Sequence, residues 1–291
     1  MNTAVTITLP AGIWREGICH REASLRQLTG ADELFLLEVG ESLPMAHRVT
    51  ALLARCLTAL GPGDSVTSEA VRSLTAGDRE ALLLHLRRLT LGDRLPCVLS
   101  CPQPDCGKQM DLALKVSDLL LPPGPDAKDR HETALNENGR AYRVYFRLPT
   151  GADQEAAAAF ARSRPESAAD LLLGRCVEKV TAEDSNSEAV EDWPSAVARH
   201  LPAMMAECDP QAELTLNLSC PECGHDFSAL FDTASYFFQE LAGSSRFLYQ
   251  EVHLLAFYQH WSEAEIMNMP SQRRRQYLES LGETLGEERR R

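Results

Sequence analysis

Two cysteine turns set far apart in the chain constrain its fold more than any other feature. One reads Cys101-Pro-Gln-Pro-Asp-Cys106-Gly107 and the other Cys220-Pro-Glu-Cys223-Gly224. Each has a cysteine, then proline, a second cysteine and a glycine. Proline presets φ for a tight turn, and glycine leaves the turn with positive φ at no steric cost. Two thiolates from one such turn aim at one point, and two turns complete a four-sulfur tetrahedron of the kind that holds structural zinc. The metal ligands expected are therefore Cys101, Cys106, Cys220 and Cys223, with one Zn2+ per chain. Cys97 and His225 are spare donors nearby, either of which would substitute for one of the four. The other readings of the same residues are four unliganded thiols in loops, or two disulfides.

The sequence around each turn alternates as strands do. Val98, Leu99 and Ser100 run into Cys101, and Met110, Leu112 and Leu114 alternate after Cys106. Leu214, Leu216 and Leu218 lead to Cys220, and Phe227 follows Cys223. Two hairpins with cysteines at their tips make a discontinuous zinc-ribbon-like pair. The remainder reads as helix, so the expected class is α+β, mainly helical. The expected divisions are an N-terminal strand and helical region (1–96), a first hairpin (97–120), a strand-plus-helices insertion (121–212), a second hairpin (213–231) and C-terminal helices (232–291).

Along the chain, residues 3–9 alternate as a strand, and Thr29 to Asp32 opens a helix. Apolar residues at helical spacing predict a long helix from Pro44 through Leu60. Gly77-Asp78 starts another, stopped by Gly92. Asp126 to Gly139 reads as polar turn, and Tyr142, Val144 and Phe146 as a strand. Ser163 with Glu166 has the spacing of a capping box. Thr181 to Asp192 reads as an acidic loop, and Pro194 to Glu207 as a helix. The stretch Phe247 to Trp261 is apolar around much of its circumference and predicts a buried helix. Ser262 with Glu265 makes a second capping box, with Trp261 and Ile266 placed as a hydrophobic staple. The run Arg273-Arg-Arg275 reads as a solvated helix face. Cys19, Cys56, Cys176 and Cys208 read as small buried hydrophobes. No repeat beyond the two cysteine turns is apparent.

A net charge of −13 disfavours a general nucleic-acid binder, which needs a basic surface to release counterions. No apolar run reaches the roughly twenty residues that span a bilayer. The first ten residues lack the basic start and apolar core of a signal peptide, so a cytoplasmic location is expected, where paired cysteines favour metal over disulfide. There is no Gly-x-Ser-x-Gly elbow, no phosphate loop and no His-Glu-x-x-His. Four thiolates saturate zinc and leave no position for water. No enzyme activity, catalytic residue, other cofactor or small-molecule substrate is expected.

Several phrases together carry a resemblance. They are Leu28-Thr-Gly-Ala-Asp-Glu33, Thr50-Ala-Leu-Leu-Ala-Arg-Cys56, Gly77 to Leu84 with Arg87 to Asp93, the cysteine turns, and His260 to Ile266 through Pro270 to Tyr277. The chain resembles baseplate proteins of contractile-tailed phages, the T-even-type baseplate hub assembly family, and their relatives in extracellular contractile injection systems. The resemblance implies a non-enzymatic role in building a baseplate or its hub, with other baseplate, hub or spike proteins as partners, and incorporation into a phage-tail-like particle. Two other classes fit the cysteines: a zinc ribbon that binds nucleic acid, and a zinc hydrolase with three protein ligands and a water.

Overall fold

The structure is a computed structural model that describes residues 4–39, 42–63, 65–124, 128–182 and 193–288. Helix makes up about 50% of the chain and strand 27%, the strands in small antiparallel sheets, which is an α+β fold. The chain opens with β1 (Val5–Arg15) and β2 (Ile18–Leu25), then α1 (Gly30–Val39), α2 (Met45–Cys56) and β3 (Leu57–Leu60). The three strands form one sheet in the order β1-β2-β3. Residues 57–60 are thus strand, not the last turn of α2. Leu57 and Leu60 keep helical spacing with Leu53, but their apolar faces cover the same core from a strand paired with β2.

Next come the short α3 (Ser68–Arg72), the long α4 (Ala76–Leu91), and the first hairpin, β4 (Arg94–Ser100) and β5 (Gln109–Lys115), followed by α5 (Val116–Leu119). Thr75, not Gly77, caps α4 by accepting from the Asp78 backbone N–H, and Gly92 ends it at φ 91°. Asp78 reaches elsewhere: its carboxylate accepts from the N–H groups of Ala11 (2.8 Å) and Gly12 (3.0 Å), tying α4 to β1.

A second three-stranded sheet follows, ordered β6 (His131–Glu137), β7 (Arg140–Phe146), β8 (Val177–Ala182). Strand β6 lies within the stretch that reads as polar turn, because neither of its faces is deeply buried. Between β7 and β8 lie α6 (Gly151–Ala161) and α7 (Ala168–Cys176). The capping box forms at Thr150 and Asp153. None forms at Ser163, where Pro165–Ser167 makes a 3-10 turn and α7 begins after Ser167. The acidic stretch ends β8 at Ala182, and its remainder lies outside the described residues. Then come α8 (Ser195–Cys208), the second hairpin of β9 (Leu214–Ser219) and β10 (Asp226–Phe231), and α9 (Thr233–Ser245). The chain finishes with α10 (Leu248–Gln259), α11 (Glu263–Met267) and α12 (Ser271–Glu288).

The two halves of the molecule repeat one another. In the first, β1-β2-α1-α2-β3 precedes a cysteine hairpin; in the second, β6-β7-α6-α7-β8 does. The likeness extends to single atoms around two buried aspartates. Asp32 accepts from Arg26 Nη1 (2.6 Å), Arg55 Nε (2.9 Å), and the backbone N–H and hydroxyl of Thr29 (3.0 and 2.9 Å). Asp153 accepts from Arg147 Nη1 (2.6 Å), Arg175 Nε (2.7 Å), and the same two groups of Thr150 (2.9 and 2.8 Å). The guanidinium of Arg26 also donates to the Arg55 carbonyl, as that of Arg147 does to the Arg175 carbonyl. Cys56 and Cys176 end the second helix of each unit, both fully buried. Even a register shift recurs, between Ser24 and Leu25 and between Tyr145 and Phe146.

Two C-terminal expectations are overturned. Arg273 and Arg275 are exposed as read, but Arg274 between them is not on a solvated face: it is 1% exposed, donating to Glu33 (2.8 Å), Glu251 (2.9 Å) and the Met269 carbonyl (2.8 Å). Helix α10 is not buried: only Leu248 and Leu255 are, while Tyr249 and Phe257 are 62% and 65% exposed. The capping box at Ser262 and Glu265 forms as expected, with Ile266 buried and Trp261 edge-on to Tyr277.

Candidate metal centre

Each half of the molecule delivers one hairpin tip, and the two tips meet. The first hairpin is fixed at its base by Leu95, Val116, Leu119, Leu214 and Phe231, which share one apolar cluster with Leu84 of α4. Helix α9 reaches across to it, where the Tyr236 hydroxyl donates to the Pro96 carbonyl. The strands therefore emerge from a packed base that draws on both halves.

At the tips the backbone closes tightly. The Cys101 N–H donates to the Lys108 carbonyl (2.8 Å), and the Cys220 N–H to that of His225 (2.9 Å). Gly107 and Gly224 leave the turns at φ 55° and 69°, where a β-carbon would be strained. Two extra residues in the first turn make a wider loop, yet both turns end in the same conformation. Met110, with Leu99 and Phe227 alongside, packs in one cluster with the buried Cys101 and Cys220.

The four sulfurs of Cys101, Cys106, Cys220 and Cys223 lie within 4.8 Å of one another. Across the two hairpins, the sulfurs of Cys101 and Cys223 lie 3.7 Å apart and those of Cys106 and Cys220 3.8 Å apart. A disulfide needs about 2.05 Å, so these are not disulfides, and all nine cysteines are free. Zinc–sulfur bonds of about 2.3 Å in a tetrahedron put the sulfurs roughly 3.8 Å apart. The donor set thus fits a zinc-sized ion. Burial pushes the Cys101 thiol up to about 12, whereas the backbone N–H groups of Cys223 and Glu222 bring that of Cys220 down to about 7. Metal entry would release protons from this set, since only thiolates ligate.

The spare donors are placed elsewhere. Cys97 faces the apolar cluster at the hairpin bases, and His225 stacks its ring on Phe227 at 6.2 Å. Cys56 and Cys176 are buried as expected, Cys19 is half-buried and Cys208 is exposed. His253 stacks on Phe257, and His260 caps α10 in the left-handed conformation. Asp93 accepts from the backbone and hydroxyl of Ser117 and holds the start of α5.

A family model described as T4 bacteriophage base plate protein matches residues 5–239. The chain belongs to that family. The comparisons with curated proteins and with solved structures each found no match. The match covers both three-stranded sheets and both hairpins, so the two-half arrangement lies within the region this baseplate protein shares with its family. Helices α10, α11 and α12 lie beyond it. The family is structural, and none of the described helices is long and apolar enough to cross a membrane. The sequence reading missed the paired Arg-Asp-Arg clusters of this baseplate protein. A signal for them was present in the phrase Thr-Gly-Ala-Asp, which occurs at both Thr29 and Thr150 with an arginine three residues before each.

Proposed function

We propose that this protein is a non-enzymatic structural or assembly component of the baseplate of a contractile phage tail or phage-tail-like injection system. One zinc ion held by Cys101, Cys106, Cys220 and Cys223 joins its two hairpins as a ribbon-like pair. The observation that carries the metal reading is the sulfur spacing of 3.7 and 3.8 Å between tips, which matches a tetrahedral zinc–thiolate shell. Such an ion supplies cohesion. The chain's own residues do the rest: the apolar base aims the tips, and the glycine exits fix their direction. A four-sulfur shell is closed to water, which favours architecture over hydrolysis. The partners are other baseplate subunits. The exposed aromatic residues Tyr249, Phe257 and Tyr258 of α10, with Phe247 at its N-cap, are the surface proposed to meet them, since exposed apolar patches mark interaction sites.

The test is elemental analysis with X-ray absorption at the zinc edge on protein purified without added metal. One zinc per chain with four sulfur neighbours supports the reading. Absence of metal overturns the centre, and three protein ligands plus oxygen revives the hydrolase. For the assembly role, a Phe257→Asp variant that still folds should no longer join purified baseplate subcomplexes; undiminished joining refutes α10 as the contact.

A further inference from the structure

The Thr-Gly-Ala-Asp turn at the head of α1 and its counterpart at the head of α6 each receive a visitor, and the two visitors are alike. One is the segment from Thr67 to Arg79, the other from Ser262 to Arg274. Each begins with a hydroxyl cap, Thr67 or Ser262, that accepts from the N–H three residues on. A five-residue helix follows, then a turn, then a single β-bridge residue, then a long helix. Val71 and Ile266 occupy the same place and are fully buried. Thr75 bridges to Thr150, and Pro270 to Thr29. The Leu74 carbonyl accepts from Gly151 N–H at 3.0 Å, and the Met269 carbonyl from Gly30 N–H at 3.1 Å.

Each visitor then lays a buried arginine on the glycine of the turn. A β-carbon on Gly151 would come within 2.4 Å of Arg79 Nη1, and one on Gly30 within 3.0 Å of Arg274 Nη1. Glycine stands at both positions because the guanidinium takes the space of a side chain. Arg79 is anchored by the Thr50 hydroxyl and the Val71 and Ala46 carbonyls, and Thr50 in turn donates to Glu155. Arg274 is anchored by Glu33 of α1 and Glu251 of α10. These are two instances of one docking geometry.

The order of docking is head to tail. The visitor from the first half seats on the turn of the second half. The first half's turn receives the C-terminal hairpin α11–α12 of the same chain. A heterologous contact of this kind closes within one chain or continues into the next. The connection to the C-terminal hairpin passes through exposed His260, held at φ 57° between exposed Gln259 and half-buried Trp261, a conformation uncommon for a residue other than glycine.

We infer that the Thr29–Asp32 turn is a docking site for a helical hairpin of this form, and that the C-terminal hairpin exchanges between copies, joining a second copy of this chain head to tail. The acceptor copy contributes Gly30, Glu33 and Glu251, and the donor copy contributes Pro270, Ile266 and Arg274. Helix α10, which packs against both helices of the hairpin, stays with the acceptor. The inference is independent of the metal.

Complementation tests it. Gly30→Val removes the acceptor and leaves a competent hairpin; Arg274→Leu spoils the hairpin and leaves a competent acceptor. Each full-length variant alone should sediment as a monomer. Mixed in equal amounts they should form a 1:1 heterodimer of twice the mass, at concentrations where neither self-associates. Two monomers persisting in the mixture, with each variant folded by circular dichroism, overturn the inference and leave the hairpin an intrachain element. Should either variant fail to fold, a protease site placed between His260 and Trp261 of the otherwise natural chain gives the same reading. The nicked protein should exchange its C-terminal fragment for a labelled one and refuse the Arg274→Leu fragment. Failure to exchange, or equal uptake of both fragments, overturns it.

Discussion

Replacing Asp153 with asparagine preserves shape and removes charge at the centre of the second arginine pair. Its side chain is fully buried, and it accepts five hydrogen bonds, three of them from Arg147 and Arg175. Although burial alone would raise it, the Arg147 hydrogen bonds, those of Thr150 and that of Arg175 outweigh this and hold the carboxyl down at about 2. Against an unfolded value near 3.9, that depression corresponds to roughly 2.5 kcal/mol at neutral pH. Both arginines are partly exposed, which screens the attraction and argues against a larger figure. Asparagine also leaves two cations facing an amide, so the expected loss is about 2–4 kcal/mol, toward the cost of breaking a buried pair. The sign with pH follows from the depressed value. The stabilisation is fully present above the unfolded pKa of about 4, and it is lost as pH falls toward 2. Urea unfolding followed by circular dichroism should show the natural protein well above Asp153→Asn at pH 7. The gap should shrink by about half at pH 3. A difference below about 1 kcal/mol at pH 7, or a gap that does not change between pH 7 and pH 3, would refute the electrostatic account.

Two shorter predictions concern the spare donors and the glycines. Cys97→Ser and His225→Ala should each retain the metal content of the natural protein by elemental analysis, because neither group joins the four-sulfur cluster; loss of metal in either would reassign the ligands. Gly151→Val should destabilise by about 2 kcal/mol or more, since its new atoms collide with Arg79, whereas Gly243→Ala on α9 meets nothing within 4 Å and should stabilise by up to ~1 kcal/mol in thermal unfolding.

What could be read from the residues depended on how local the cause was. The hairpins and the meeting of four thiols follow from proline, glycine and strand alternation within a few residues of each cysteine. The helix starts at Thr150 and Ser262 follow from capping chemistry, which is also local. The strand Leu57–Leu60 was hidden because an apolar residue at helical spacing covers a core equally well from a strand, and only the partner β2 decides between them. The strand His131–Glu137 was hidden for a related reason: with neither face deeply buried, its side chains carry little apolar alternation. Arg274 sits in a run of three arginines that resembles a solvated face, and its burial depends on Glu33 far away in sequence. The aromatic residues of α10 gave the opposite error, since apolarity implies that a surface is covered without saying whether this chain covers it.

The division of the sulfurs between the two halves has a consequence for the order of synthesis. A chain still on the ribosome, or one terminated early, has two thiols at its first tip and no others at the cluster until Cys220 and Cys223 are made. Synthesis through Cys223 therefore decides when the first hairpin can find its counterpart, and a fragment that stops before Cys220 carries only two of the four cysteines.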